Sequence, residues 1–320
     1  MTPSRRKWLV FAAKFVLTLV LLAFLLRHER SGAGLLARLG TVAPAVFMAV
    51  VLLMLCQAGL NAVRWQLITR LVGRELPTAL ALRYVLIGLF FNQTLPSTLG
   101  GDVVRWWYAH REGIPALSAF NGLLLDRLIG MLMLALVTIA MIPVVGGEVA
   151  RVVPPSLLLG ALAAMGAGVL AMLLVDRLPA GVTRWRVLRP GVRLAADARS
   201  VLLSRSSTPW LLLLSFVAQV FLVVAVHLLA GALGLAISFA VCLCVVPAAL
   251  LFAALPVSVG GWGVRESAFV VGFNLFGVNA TDAFALSVLF GVASLLAGLP
   301  GGLRWWIDRR QKRRHPVRRH

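Results

Sequence analysis

The chain has 320 residues, of which 60% are hydrophobic and only 13% are charged. Apolar runs of about 18 or more residues recur from end to end, and such runs are long enough to cross a bilayer as helices, which excludes a soluble globular protein. Lysine and arginine total 31 against 11 aspartates and glutamates, but the excess lies mainly in gaps between apolar runs, which favours a role in membrane topology over nucleic-acid binding.

The first apolar run covers residues 9–26 and follows the basic segment SRRKW. We interpret it as a retained first helix rather than a cleaved secretory signal, because it is longer than a usual signal core and no small-residue cleavage site follows at once. Five further full spans are predicted at residues 42–65, 117–145, 154–175, 209–234 and 281 to about 305.

Two other apolar stretches, residues 78–95 and 239–255, run directly into a proline and then a Gly-Gly pair. The segments that follow them are alike: LPSTLGGDVVR at 95–105 returns as LPVSVGGWGVR at 255–265. Leu, Pro, Gly, Gly, Val and Arg match at identical spacing, and the offset of 160 residues is half the chain. We interpret the match as an internal duplication rather than a chance likeness of two loops.

Each Gly-Gly element is predicted to be a re-entrant hairpin, in which one half-helix enters the membrane and a second returns to the same side. Each half of the chain then crosses three times, and an odd number inverts the second half relative to the first. This arrangement puts most basic residues in the cytoplasm, among them Arg64, Arg70, Arg74 and Arg83, in agreement with the positive-inside rule. Only four arginines are left in external loops: Arg27, Arg30, Arg38 and Arg151.

The predicted fold is therefore an all-α polytopic membrane protein, with six full transmembrane helices and two re-entrant helical hairpins arranged as an inverted repeat. We expect one domain over residues 1–320, with internal repeats at about 1–150 and 151–308 and a basic cytoplasmic tail at 309–320. Both termini are expected in the cytoplasm. The basic segment from Arg177 to Arg205 is either an amphipathic surface segment or an ordinary cytoplasmic loop.

Broken helices in an inverted repeat are a known transporter plan, with the substrate site near the midplane. Unpaired backbone N–H groups at the start of each returning half-helix, followed one turn later by Arg105 or Arg265, are typical of anion binding. An arginine suits a phosphate because it donates in a planar fork. The alternative is that the glycines only allow close helix packing and the arginines extend to an interface.

Three segments, NQTLPSTLGGDVVR at 92–105, LLLDRLIG at 123–130 and LPVSVGGWGVRESAF at 255–269, resemble signatures of the flippase-like membrane family that includes the transmembrane domain of lysylphosphatidylglycerol synthase. The resemblance covers nearly the whole chain. It implies a multi-pass protein of the bacterial inner membrane that moves a polar, phosphate-containing lipid between leaflets. Because only a basic tail follows the last span, the chain is not expected to synthesise lysyl-lipid, and we do not expect it to be an enzyme.

Several polar residues beside or inside the spans remain ambiguous from sequence alone. Asp126 pairs with Arg105 or Arg265 in a functional network, or it belongs to a purely structural ion pair. Asp102 caps its own half-helix or holds Arg105 in place. The candidate substrate-binding residues are Asn92, Pro96, Ser97, Gly100, Gly101, Asp102, Arg105, Asp126, Arg127, Pro256, Ser258, Gly260, Gly261, Arg265 and Glu266.

The sequence predicts no cofactor and no metal site. Cys56, Cys242 and Cys244 lie inside apolar segments without ligand spacing. The expected partners are a membrane lipid substrate and a lipid-synthesis enzyme, with no nucleic acid. Two other functions stay open: a membrane-embedded lipid-modifying enzyme, and a scaffold that binds a lipid-synthesis enzyme without moving lipid.

Overall fold

The computed structural model describes residue 40 and residues 42–73, 75–94, 100–147, 155–174, 189–254 and 262–314. Within these residues every regular element is an α-helix. The helices are α1 Pro44–Val72, α2 Thr78–Thr94, α3 Gly100–Arg111, α4 Ala116–Val145, α5 Pro155–Leu174, α6 Arg189–Leu202, α7 Thr208–Ala232, α8 Phe239–Ala253, α9 Val264–Asn274 and α10 Ala280–Arg314.

Four of the described helices, α1, α4, α7 and α10, are long and apolar enough to cross a membrane. Helix α5 has 20 residues and lies where the span at 154–175 is predicted. The protein is therefore an all-helical, multi-pass membrane protein. The predicted first helix at 9–26 lies outside the described residues.

The helix of the second predicted span, 42–65, is longer than that span. Helix α1 continues to Val72, and Arg64 lies inside it, where it is buried. The positive-inside count places Arg64 in the cytoplasm, but inside α1 its charge is met by a carboxylate of another helix. One of the arginines assigned to the cytoplasm therefore lies in the protein interior.

Helices α2 and α3 pack against each other in opposite directions. Gly101 near the start of α3 lies beside Gly88 and Asn92 of α2, while Tyr108 near its end stacks on Tyr84, earlier in α2. The backbones are so close that a Cβ built on Gly101 would lie 2.0 Å from the Gly88 carbonyl oxygen. Only a residue without a side chain fits there. Residues 95–99 and 255–261, which include Pro96, Ser97, Pro256, Ser258, Gly260 and Gly261, lie outside the described residues.

The helix contacts of the first half have counterparts in the second half. Helices α1, α2, α3 and α4 correspond to α7, α8, α9 and α10 when 160 residues are added. Contacts of α2 with α1 and α3 match those of α8 with α7 and α9. Contacts of α2 with α10 match those of α8 with α4, and α1 packs directly on α7. The buried core is made where these helices meet.

Helix α6 forms in the segment for which two interpretations stayed open, and it is amphipathic. Its Ala198 and Val201 are fully buried and pack on Ile68 of α1 and on Leu125 of α4, whereas Arg193 is exposed. The apolar face of α6 therefore covers the protein core instead of lying on a lipid surface. Hydrogen bonds from Asn121 to Asp197 and from Arg199 to the Leu173 carbonyl hold the helix to α4 and α5.

Candidate functional site

Charged side chains converge on a cavity of about 240 Å³ between α1, α2, α3, α4 and α7. The cavity lies among the apolar helices described above, where an unpaired charge is costly. Its lining nevertheless includes three arginines and two aspartates. These charged lining residues are Arg64, Asp102, Arg105, Asp126 and Arg127.

Asp126 is the centre of this charge network. One carboxylate oxygen, Oδ1, accepts a hydrogen bond from Arg64 Nε at 2.8 Å, and Oδ2 accepts one from Arg105 Nη2 at 3.0 Å. Arg64 also donates to the Ser215 hydroxyl of α7 at 3.0 Å. Because Asp126 is buried, these paired donors are what make its ionised form tolerable there. The network ties α1, α3, α4 and α7 together.

The sequence left open whether Asp126 pairs with Arg105 or Arg265, and the structure pairs it with Arg105. Arg64 is a second partner that the sequence did not reveal, because the charge pattern placed it among the cytoplasmic basic residues. Arg64 and Asp126 are 62 residues apart in the chain. The only available signal was that a carboxylate inside a span needs a basic partner inside another span.

The Asp102 carboxylate pairs with two arginines, one on its own helix and one on α4. Its carboxylate accepts a hydrogen bond from Arg127 and lies 3.5 Å from Arg105 Nη1. Arg105 therefore has a carboxylate on either side. Asp102 lies in the first turn of the same helix, α3, and Asp126 belongs to α4. Arg105 also lies over the Trp65 ring, with its guanidinium carbon 4.4 Å from the ring centre.

The expectation of an unpaired N–H at the first Gly-Gly pair is wrong for Gly101. Its backbone N–H donates to the Asn92 side-chain oxygen at 2.8 Å. The start of α9 is likewise occupied, since the Gly263 N–H donates to the Glu266 carboxylate. Among the described residues, one N–H at the start of α3 and one just before α9 are thus taken by side chains.

A second cavity of about 260 Å³ contains the other duplicated arginine, Arg265. Its guanidinium donates to Glu266, which is fully buried, and Nε lies 3.4 Å from the Ser287 hydroxyl of α10. It also lies over the Trp262 ring, 4.7 Å from its centre. Glu266 is therefore the buried counter-charge of Arg265, as Asp126 is that of Arg105. Glu266 is the next residue in the chain, whereas Asp126 lies on another helix.

The two cavities share part of their walls. Gln57 of α1, Asn92 of α2 and Arg127 of α4 line both of them, together with Leu89 and Ala254. The second cavity has no carboxylate among its lining residues. The two arginines of the duplicated motif thus lie in adjoining polar chambers, and Arg127 lies at the boundary.

Two polar atoms in the first cavity are buried without a hydrogen-bond partner among the described residues. They are Arg105 Nε, a donor, and Gln219 Oε1, an acceptor. A buried polar atom without a partner costs free energy unless something else supplies the bond. Both atoms belong to residues that line the cavity. Gln219 is a further residue that the sequence reasoning missed.

Comparisons with known proteins give one match. A model of a protein family described as the lysylphosphatidylglycerol synthase TM region matches residues 11–302. No curated protein and no solved structure gives a significant match.

Proposed function

The chain belongs to the lysylphosphatidylglycerol synthase TM region family, and from that premise we propose that it moves a phosphate-containing or related polar lipid between the leaflets of the bacterial inner membrane. Family membership is consistent with a membrane protein of lipid metabolism. The proposed activity is transport without chemical change of the lipid. The proposed partners are the lipid itself and an enzyme that synthesises it.

The observation that carries this proposal is the pair of adjoining cavities. Each contains one arginine of the duplicated motif, Arg105 or Arg265, and Arg127 lines both. A headgroup that crosses the hydrocarbon region needs its charge met by fixed donors, because water is scarce there. A chain of arginines through two neighbouring chambers meets that need for a phosphate, while the acyl chains stay in the surrounding lipid.

The ion pairs of Arg105 indicate how a phosphate would bind to this arginine. Arg105 is held by Asp126 and Asp102, and its Nε has no partner among the described residues. A phosphate in this cavity would share the Arg105 guanidinium with these carboxylates instead of displacing both. Because the arginine is already positioned by carboxylates and by Trp65, little side-chain entropy is lost when the phosphate binds.

We further propose that α2–α3 and α8–α9 are re-entrant hairpins in an inverted repeat, with six full crossings and both termini in the cytoplasm. The opposite directions of α2 and α3 support this arrangement. So does the correspondence of helix contacts between the two halves. Under this proposal the domain is single, with repeats at about 1–150 and 151–308.

Labelling of introduced cysteines tests the arrangement independently of transport. Glu148→Cys should react from outside the cell and Pro190→Cys only from the cytoplasm. If both positions reacted from the same side, the inverted repeat would be wrong, whatever the lipid.

Leaflet-resolved transport in proteoliposomes that contain only this protein tests the function. Arg105→Ala or Arg265→Ala should slow transport by about tenfold or more, since loss of one donor to a buried charge costs about 1.5 to 3 kcal/mol. Lysine at either position should restore the rate only in part, because it keeps the charge but loses the planar fork. The matched control is Arg193→Ala, at an exposed arginine of α6.

The same experiment separates the alternatives. Chemically altered lipid in the vesicles would favour a lipid-modifying enzyme, and no movement of any lipid by the parent protein would favour a scaffold. If both alanine variants stayed folded and moved lipid at the parent rate, the phosphate site would be wrong, and the Gly-Gly elements would be better explained as packing features.

A further inference from the structure

A separate cleft of about 460 Å³ lies outside the central cavities, between α3 and the basic end of α10. Its wall is aromatic and apolar, and its rim carries two arginines, Arg111 of α3 and Arg309 of α10. None of its lining residues belongs to either central cavity. We propose that this cleft binds the headgroup of an anionic phospholipid, as a site distinct from the transport chambers.

The two rim arginines are arranged alike. Each lies one helical turn after a tryptophan and covers its ring, with the Arg111 guanidinium carbon 4.7 Å from the Trp107 ring centre and that of Arg309 4.3 Å from the Trp305 ring centre. A guanidinium that lies flat on a ring keeps its N–H edge directed outward, where it suits a phosphate. Among the described residues neither of these arginines forms an ion pair.

The carboxylate in the cleft does not cancel their charge. Asp308 is buried and pairs with Arg83 of α2 and with Arg304, one turn earlier in α10. The rim is therefore left with a net positive charge. A third pair of the same kind, Arg310 over Trp306 at 3.5 Å, follows on the neighbouring face of α10. Tryptophan and arginine at one end of a membrane helix are typical of the level at which lipid headgroups lie.

The apolar part of the cleft fits an acyl chain. Val103 and Trp107 are exposed on α3. Val104 of the same helix and Phe91 of α2 continue the apolar wall. A lipid with its phosphate at the rim would place its chain along this wall. A soluble anion would gain nothing from that surface, which commits the site to a lipid.

The symmetry-related place in the fold, between α9 and α4, lacks the feature. The positions equivalent to Trp107 and Arg111, 160 residues later, are Ser267 and Val271. Val271 is exposed on α9 without a charge or an aromatic ring beside it in sequence. A transport pathway built on the duplication would use equivalent residues of both halves, whereas the tryptophan and arginine of α3 have no equivalents in α9. That difference supports a fixed lipid site instead of a step of transport.

Quenching of tryptophan fluorescence by brominated lipids tests the proposal. The protein is reconstituted in phosphatidylcholine vesicles with rising fractions of phosphatidylglycerol that carries brominated acyl chains, and in a parallel series with brominated phosphatidylcholine. For the parent protein, quenching should saturate at a low fraction of the anionic lipid, with a preference of about tenfold over the zwitterionic one. The Arg111→Gln/Arg309→Gln variant should lose most of that preference.

The control variant is Arg193→Gln/Arg205→Gln, which removes two exposed arginines away from the cleft and should keep the preference. If the two double variants lost the preference for the anionic lipid equally, that preference would reflect general attraction of the lipid to a basic protein surface. The proposed site would then be wrong. Quenching by both lipids in proportion to their fraction, in the parent protein itself, would overturn it as well, even if a variant failed to fold.

Discussion

Replacement of Gly101 by alanine should force α2 and α3 apart. The added Cβ would lie 2.0 Å from the Gly88 carbonyl oxygen and 2.7 Å from Asn92 Oδ1, whereas ordinary contact begins at 3.4 Å. Against the Gly88 oxygen the shortfall is about 1.4 Å, and the obstructing atom belongs to the backbone, which cannot rotate away. The helices must therefore separate by a large part of that distance.

Two effects of Gly101→Ala lower the free energy of unfolding. Overpacking of this kind costs about 1 to 3 kcal/mol. The hydrogen bond from the Gly101 N–H to Asn92 is also stretched, which removes a contribution of about 0.5 to 1.5 kcal/mol. We expect the free energy of unfolding to fall by about 2 to 4 kcal/mol. Arg105, one turn further along α3, would shift with the helix, so transport should fall by roughly tenfold in protein that remains folded.

Equilibrium unfolding in mixed micelles measures the first effect, and the proteoliposome assay measures the second. The matched control is Gly59→Ala in the middle of α1, because no atom of the described residues lies within 4 Å of its Cβ position. That change should leave transport intact and raise the free energy of unfolding slightly, by about 0.5 to 1 kcal/mol, since alanine is the better helix former. If Gly101→Ala were as stable and as active as the control, the close packing of α2 on α3 would be wrong.

Three further changes probe the charge network and the packing of α10. Asp126→Asn should lower the free energy of unfolding by about 3 to 5 kcal/mol, because it leaves Arg64 buried without a counter-charge; a parent-like unfolding curve would contradict the network. Glu266→Gln keeps an acceptor for the α9 cap but removes the charge that Arg265 faces, so we expect a loss of about 1.5 to 3 kcal/mol in the same measurement, and unchanged stability would show that the pair is dispensable. Gly301→Ala would place a Cβ 1.9 Å from the Leu86 carbonyl oxygen, so unfolding should be easier by about 1 to 3 kcal/mol, and parent-like melting would argue against this helix contact.

Much of the fold follows from local sequence. The predicted spans at 117–145 and 209–234 agree closely with α4 Ala116–Val145 and α7 Thr208–Ala232. The helices before the two Gly-Gly elements begin at Thr78 and Phe239, as predicted. These features are local because a run of apolar side chains in lipid must satisfy its own backbone hydrogen bonds, and a helix does so within the run.

The partners inside the site were decided by tertiary structure. The charge pattern assigned Arg64 to the cytoplasm, but helix packing brings it to Asp126, which is 62 residues away in the chain. In the same way, the Gly101 N–H that seemed suited to an anion is taken by Asn92, because α2 folds back along α3. A buried charge or donor is stabilised by whichever group packing brings within hydrogen-bond distance, and spacing along one helix does not reveal what a neighbouring helix presents.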